Sequence, residues 1–144
     1  MPNYHVFEMA TADDQVSIDW ATANVTDITV TGQSLQLEVE LEPEPSRFWT
    51  SAFNEVRPHR PLAVRHHWWV NSPSHRSLTV GGVEPGSEEE VRKGLEELVG
   101  IANRQAPRDR KAHEDKQRVL QEEARVRKSA AGEMTERFRT GPLD

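Results

Sequence analysis

The chain has 144 residues, a formal net charge of −6 and no cysteine, which excludes disulfides and thiolate metal sites. Its 35% hydrophobic content suits one small domain with an appendage, and no apolar run approaches the roughly 18 residues of a membrane span. The first residues show neither the basic leader nor the apolar stretch of a signal peptide, so the cytoplasm is the expected location.

Charge is unevenly spread. Residues 1–107 carry 16 acids against 8 bases, whereas 108–139 carry 10 bases against 7 acids. Within the acidic part, no acid occurs from Val56 to Val83, a stretch that holds Arg57, Arg60, Arg65 and Arg76.

In chain order, Tyr4, Val6 and Met9 and then Val16, Ile18 and Trp20 form two short alternating patterns, with a turn at 11–15. Residues 25–31 are rich in β-branched side chains and end at Gly32, a natural turn position. Leu35, Leu37, Val39 and Leu41 alternate with Gln36, Glu38, Glu40 and Glu42, as a half-buried strand with an acidic outer face does. The short link between these two runs predicts a hairpin.

Pro43 and Pro45 stop the strand, and Ser46 is placed to cap a helix whose stripe is Phe48, Trp49, Ala52, Phe53 and Val56. Pro58 and Pro61 end it. Residues 62–71 read as the strand around which the chain is organised, with Val64, His66, Trp68 and Val70 on one face and Arg65, His67 and Trp69 on the other. A turn at 71–75 leads to a strand over 76–83.

Ser87-Glu88-Glu89-Glu90 has the spacing of a capping box, and Val91, Leu95, Leu98, Val99 and Ala102 make the buried stripe of the helix it opens. Gly94 lies inside that helix, which predicts close packing there. Pro107 is expected to end it. Residues 108–139 read as a further charged helix, with a thin stripe of Leu120, Ala124, Ala131, Met134 and Phe138 interrupted by Arg127. Glu114–Arg118, Glu123–Arg127 and Glu133–Arg137 are its favourable i,i+4 pairs.

These elements predict an α+β two-layer sandwich: an antiparallel four-stranded sheet in the order β-β-α-β-β-α, both helices on one face, and a protruding charged C-terminal helix. The expected organisation is an N-terminal segment at 1–21, an α+β domain at 22–107 and a helical or partly disordered tail at 108–144.

Chemistry is sparse. His59, His66, His67 and His75 are close in sequence, but adjacent strand residues point to opposite faces and no zinc-type spacing is present. Ser72, Ser74 and His75 share a turn with no carboxylate nearby in sequence to orient the imidazole. Gly81-Gly82 lacks the lysine of a phosphate loop. No catalytic residue, metal or cofactor is therefore expected. An exposed tryptophan beside arginine is the common anchor of an interface, so the expected binding residues are Arg65, His67, Trp69 and Arg76 on an open sheet face. The expected function is a non-enzymatic interaction or adaptor module, binding an unidentified protein or a second copy through that face or through the C-terminal helix. Nucleic-acid binding through the Arg/His/Trp strand at 57–76 is the alternative, with Trp69 as a stacking ring. A hydrolase-like enzyme is the minor reading. The acidic row Glu38, Glu40, Glu42 offers a further expectation: it neutralises Arg65 and His67 across the sheet.

Overall fold

The computed structural model describes residues 12–27, 35–59 and 67–141. A 3-10 turn at Ala12–Asp14 leads into strand β1 (Ser17–Asp27), then β2 (Leu35–Glu42), helix α1 (Arg47–Val56), β3 (Trp69–Val70), β4 (Ser77–Val83) and helix α2 (Glu88–Thr140). The four strands form one antiparallel sheet in the order β1-β2-β4-β3. This is the expected α+β class. The chain divides into two compact units, Met1–Asp109 and Arg110–Asp144, and α2 contributes residues to both. No described helix is long and apolar enough to cross a membrane.

Register decides which side of the sheet is buried. In β2, Leu37, Val39 and Leu41 are buried while Glu38, Glu40 and Glu42 are exposed. Opposed residues of an antiparallel pair share a face. Val39 opposes Leu78, Leu37 opposes Val80, Val80 opposes Val70 and Leu41 opposes Ile18, so these side chains floor a single core. Onto it α1 lays Trp49, Ala52 and Phe53, the two rings stacked with centroids 4.9 Å apart. From α2 come Val91, Leu95, Val99, Ala102 and Ala106, one stripe of the helix. Gly94 meets Trp68, and a methyl group there would lie 2.6 Å from the indole Cζ2.

Four local features differ from the sequence expectations. Residues 17–20 and 25–27, read as parts of two separate patterns, belong to one strand, β1, because the irregularity between Asp19 and Asn24 sets five steps of β1 against two of β2. That insertion breaks the alternation by which a strand is recognised. Among the described residues of the 62–71 stretch, Trp69 and Val70 pair with β4 at the edge of the sheet, and the central strands are β2 and β4. The Ser87 hydroxyl donates to Glu84 O at 2.6 Å and accepts from Glu84 N at 3.2 Å, so it closes a turn instead of a capping box. In its place, the Gly86 N–H donates to Glu88 Oε1 at 2.9 Å and holds that carboxyl below its usual range.

The fourth difference is at Pro107, which lies inside α2 and does not end it. A proline has no N–H, so the carbonyl four residues earlier loses its helical partner. That carbonyl belongs to Asn103, and Gln15 Nε2 donates to it at 2.8 Å. The Asn103 side chain completes the joint. Its Oδ1 accepts from Val16 N at 2.9 Å and from Trp49 Nε1 at 2.7 Å, and its Nδ2 donates to Val16 O at 2.9 Å. Close by, the Ser46 hydroxyl caps α1 by accepting from Trp49 N at 3.1 Å, and itself donates to the buried Asp14 carboxylate. The expected strand around Tyr4 and Val6 and the expected turn at Gly32 lie outside the described residues.

Asn103→Ala leaves Trp49 Nε1 and both backbone groups of Val16 without their partner. The expected loss is about 2–3 kcal/mol, read as a lower urea midpoint at unchanged m-value. A loss of under about 0.5 kcal/mol would show that the joint is not structural.

Candidate interaction surface

The sheet has one face under the helices and one open face. Opposed pairs Asp19–Glu40, Asn24–Glu38, Glu38–Thr79, Glu40–Ser77 and Trp69–Gly81 place these side chains on the open face. Among the described residues, Asp19, Glu38 and Glu40 form no ion pair. The face is therefore acidic along β1 and β2. Asp19 was not singled out in the sequence, although its alternation with the buried Ile18 carries the signal.

Of the four expected binding residues, Trp69 and Arg76 lie at opposite ends of β4. Arg65 lies outside the described residues. His67 is exposed and precedes β3. Trp69 is half-buried: its indole lies across Gly81 and Gly82, and a methyl group on either glycine would overlap it. Arg76 sits at the other end of β4, about 16 Å from Gly81 along the strand at ordinary rise. There its Nε donates to Leu41 O at 3.3 Å and its Nη2 lies 3.6 Å from Glu42. For His67, the expected neutralisation by the β2 acids finds no support in the topology, because β4 separates β2 from β3.

A turn of two residues, His75 and Arg76, joins Ser74 to Ser77, which exchange both backbone hydrogen bonds. His75 takes a left-handed φ of 54°, a conformation that costs most side chains energy and that histidine adopts more readily than most. Its Nδ1 lies 2.9 Å from Glu44 Oε1, so a carboxylate that is remote in sequence does orient this imidazole. The pair is 87% and 58% exposed, and the Ser72 hydroxyl is engaged by Asn54 Nδ2 at 2.9 Å. An open cleft of about 420 Å³ lies between this turn and the β2 acids, lined by Thr22, Glu38, Glu40, Glu44, His75 and Arg76 among others. Among the described residues, no three His, Asp or Glu are grouped to hold a metal ion.

The β3 edge is closed. Val70 N donates to Pro58 O at 2.9 Å, and Val70 O accepts from Arg57 Nη1 at 2.6 Å. Arg57 is further held by Asn54 Oδ1 at 2.7 Å, and its partial desolvation lowers the guanidinium pKa from its ordinary value. An edge strand with these groups occupied offers nothing to an incoming strand. On the helix side, Trp20 Nε1 donates to Glu96 Oε1 at 2.6 Å, and the Arg92 guanidinium lies 4.9 Å from its ring. Trp20 and Trp69 are thus on opposite sides of the sheet.

Residues 110–140 of α2 are a different surface. Val119, Leu120, Val126, Met134 and Phe138 are all exposed, Phe138 to 85%. At 100° per residue they fall, with Ala112, Ala124, Ala130 and Ala131, in an arc of about 160°. The expected Glu133–Arg137 pair is present at 3.8 Å, but Arg118 reaches Asp115 at 3.4 Å and Arg125 takes Glu122 at 2.6 Å. The Arg125 guanidinium holds the Glu122 carboxyl below its usual range. Glu123 and Arg127 form no ion pair among the described residues. Both project within the apolar arc.

No protein-family model, curated protein or solved structure matches the chain.

Trp69→Ala uncovers Gly81 and Gly82 and is expected to lower stability by about 1–2 kcal/mol, whereas Arg76→Ala costs less than about 1 kcal/mol. Chemical denaturation of the two variants measures both. An unchanged midpoint for Trp69→Ala would show that the indole is not part of the fold and would return it to the binding surface.

Proposed function

We propose that the protein is a non-enzymatic interaction module of the cytoplasm whose principal binding element is the helix at 110–140. One observation carries the reading: every large apolar side chain of that segment is exposed, and all lie on one side of the helix. In proteins most helical stability comes from packing an apolar face against a partner. Such a stripe is suited to another helix or to an apolar groove. The nucleic-acid alternative gains less support, since Arg57 and Arg76 are turned to the chain's own carbonyls and the open face is acidic. That acidic face is the second surface of the module, suited to a cationic partner segment.

Photo-crosslinking amino acids at Leu120 and Phe138, introduced into the full chain in cells, test the reading. Discrete adducts are expected from these two positions and none from Gln121 or Glu136 on the opposite side. Adducts from neither pair, or equally from both, would overturn the helix as the binding element. Adducts from Glu38 alone would transfer the role to the sheet face.

A further inference from the structure

Resting on that reading, we propose that the occupant of the stripe is a second copy of this chain, with the two 110–140 helices paired antiparallel and Glu123 of each facing Arg127 of the other. The sequence of the arc selects this arrangement. Along the seam of a two-stranded helical pairing, positions repeat as a and d of a heptad. Here Leu120, Arg127 and Met134 take the a positions, and Lys116, Glu123 and Ala130 take the d positions. In an antiparallel pair, a residues of one helix face d residues of the other.

Centring the pair near residue 125 sets Arg127 against Glu123 of the second copy, Leu120 against Ala130, and Met134 against Lys116. Each layer is complementary. The first is an ion pair formed twice by symmetry, from two in-arc charges of opposite sign, neither with an ion pair within the described chain. The second sets a large side chain against a small one, as interdigitating layers require. The third lets the lysine stem cover the thioether while its ammonium reaches water. Val119 and Val126 flank one side of the seam, while Ala124, Ala131 and Phe138 flank the other.

The outermost layer sets His113 against Arg137, at the wet ends of the pairing and beside Glu133, which lies 3.8 Å from Arg137. Other arrangements are worse. A parallel pair in register faces Glu123 with Glu123, Arg127 with Arg127 and Lys116 with Lys116, and like charges opposed across a seam are repelled. Sliding the antiparallel pair by one heptad sets Arg127 against Ala130 and Glu123 against Met134, or Glu123 against Leu120, leaving the charges in apolar layers.

The full chain tests this, and its lack of cysteine makes a single introduced thiol unique. Sedimentation should show a dimer at about 100 μM chain. Glu123→Arg and Arg127→Glu should each weaken dimerisation by about tenfold or more, and the double exchange should restore it. A spin label at Ala112→Cys should report a separation of about 40 Å across the dimer, against about 10–20 Å for a parallel pair. Circular dichroism of each variant separates lost pairing from lost helix. A monomeric wild type, a short Ala112 distance, or a double exchange that fails to recover would overturn the proposal. If the wild type is monomeric yet the Leu120 photo-adduct has a mass other than twice the chain's, the interaction module stands and only its self-pairing fails.

Discussion

The structure depends on one side-chain amide. Asn103 presents an acceptor and a donor in the geometry of a peptide group, so it extends the start of β1 as a neighbouring strand would, by taking both the N–H and the C=O of Val16. The same oxygen fixes the indole of Trp49, one of the two tryptophans buried in the core. Backbone and indole groups are thereby paired in a region where water has little access, and where an unpaired donor costs more than a formed bond returns. The backbone carbonyl of the same residue, released by Pro107, is taken by Gln15. One helical position therefore fixes where the sheet begins and how α1 lies on it.

How much of this is legible in the sequence follows from the range of each signal. Alternation in β2 and the stripes of both helices are local properties of the chain, and they predict the fold class and most of the core, although Val56 of the expected first stripe is exposed. The Pro107 joint is not local. A proline inside a helical pattern normally ends the helix, and only a partner at Gln15, distant in sequence, makes continuation tolerable. The same holds for Ser87, whose spacing to Glu90 fits a capping box but whose hydroxyl finds Glu84 first. For the surface, alternation separates Trp69 from Trp68 correctly, yet it cannot show that Trp69 has glycines to lie on. Nor can it show that β4 intervenes between the acidic strand β2 and β3.

The surfaces of the two units differ in kind. In the first, potential interaction sites are largely occupied from within: Arg57 and Pro58 close the β3 edge, Arg76 holds the turn to β2, and Trp69 covers the glycines of β4. What it leaves outward is a polar, acidic face. In the second, apolar side chains with no core beneath them share one side of a helix with an opposed pair of charges. A binding role assigned from composition alone falls on the Arg/His/Trp strand. The proposed role rests on the helix instead, because a residue already engaged by its own chain has less to offer another.

Trp68 and Trp69 are neighbours in sequence, and each rests on glycine, Trp68 on Gly94 from the helix side and Trp69 on Gly81 and Gly82 from the open side. A consequence concerns sequence drift. None of the three glycines can acquire a side chain while its indole remains, and neither indole can shrink without exposing the backbone beneath it. Acceptable change at 69 is thus conditional on 81, and at 68 on 94, through pairs that the chain order disguises. Trp69 with Gly81 and Gly82, and Trp68 with Gly94, form two small units whose members would be expected to change together or stay fixed.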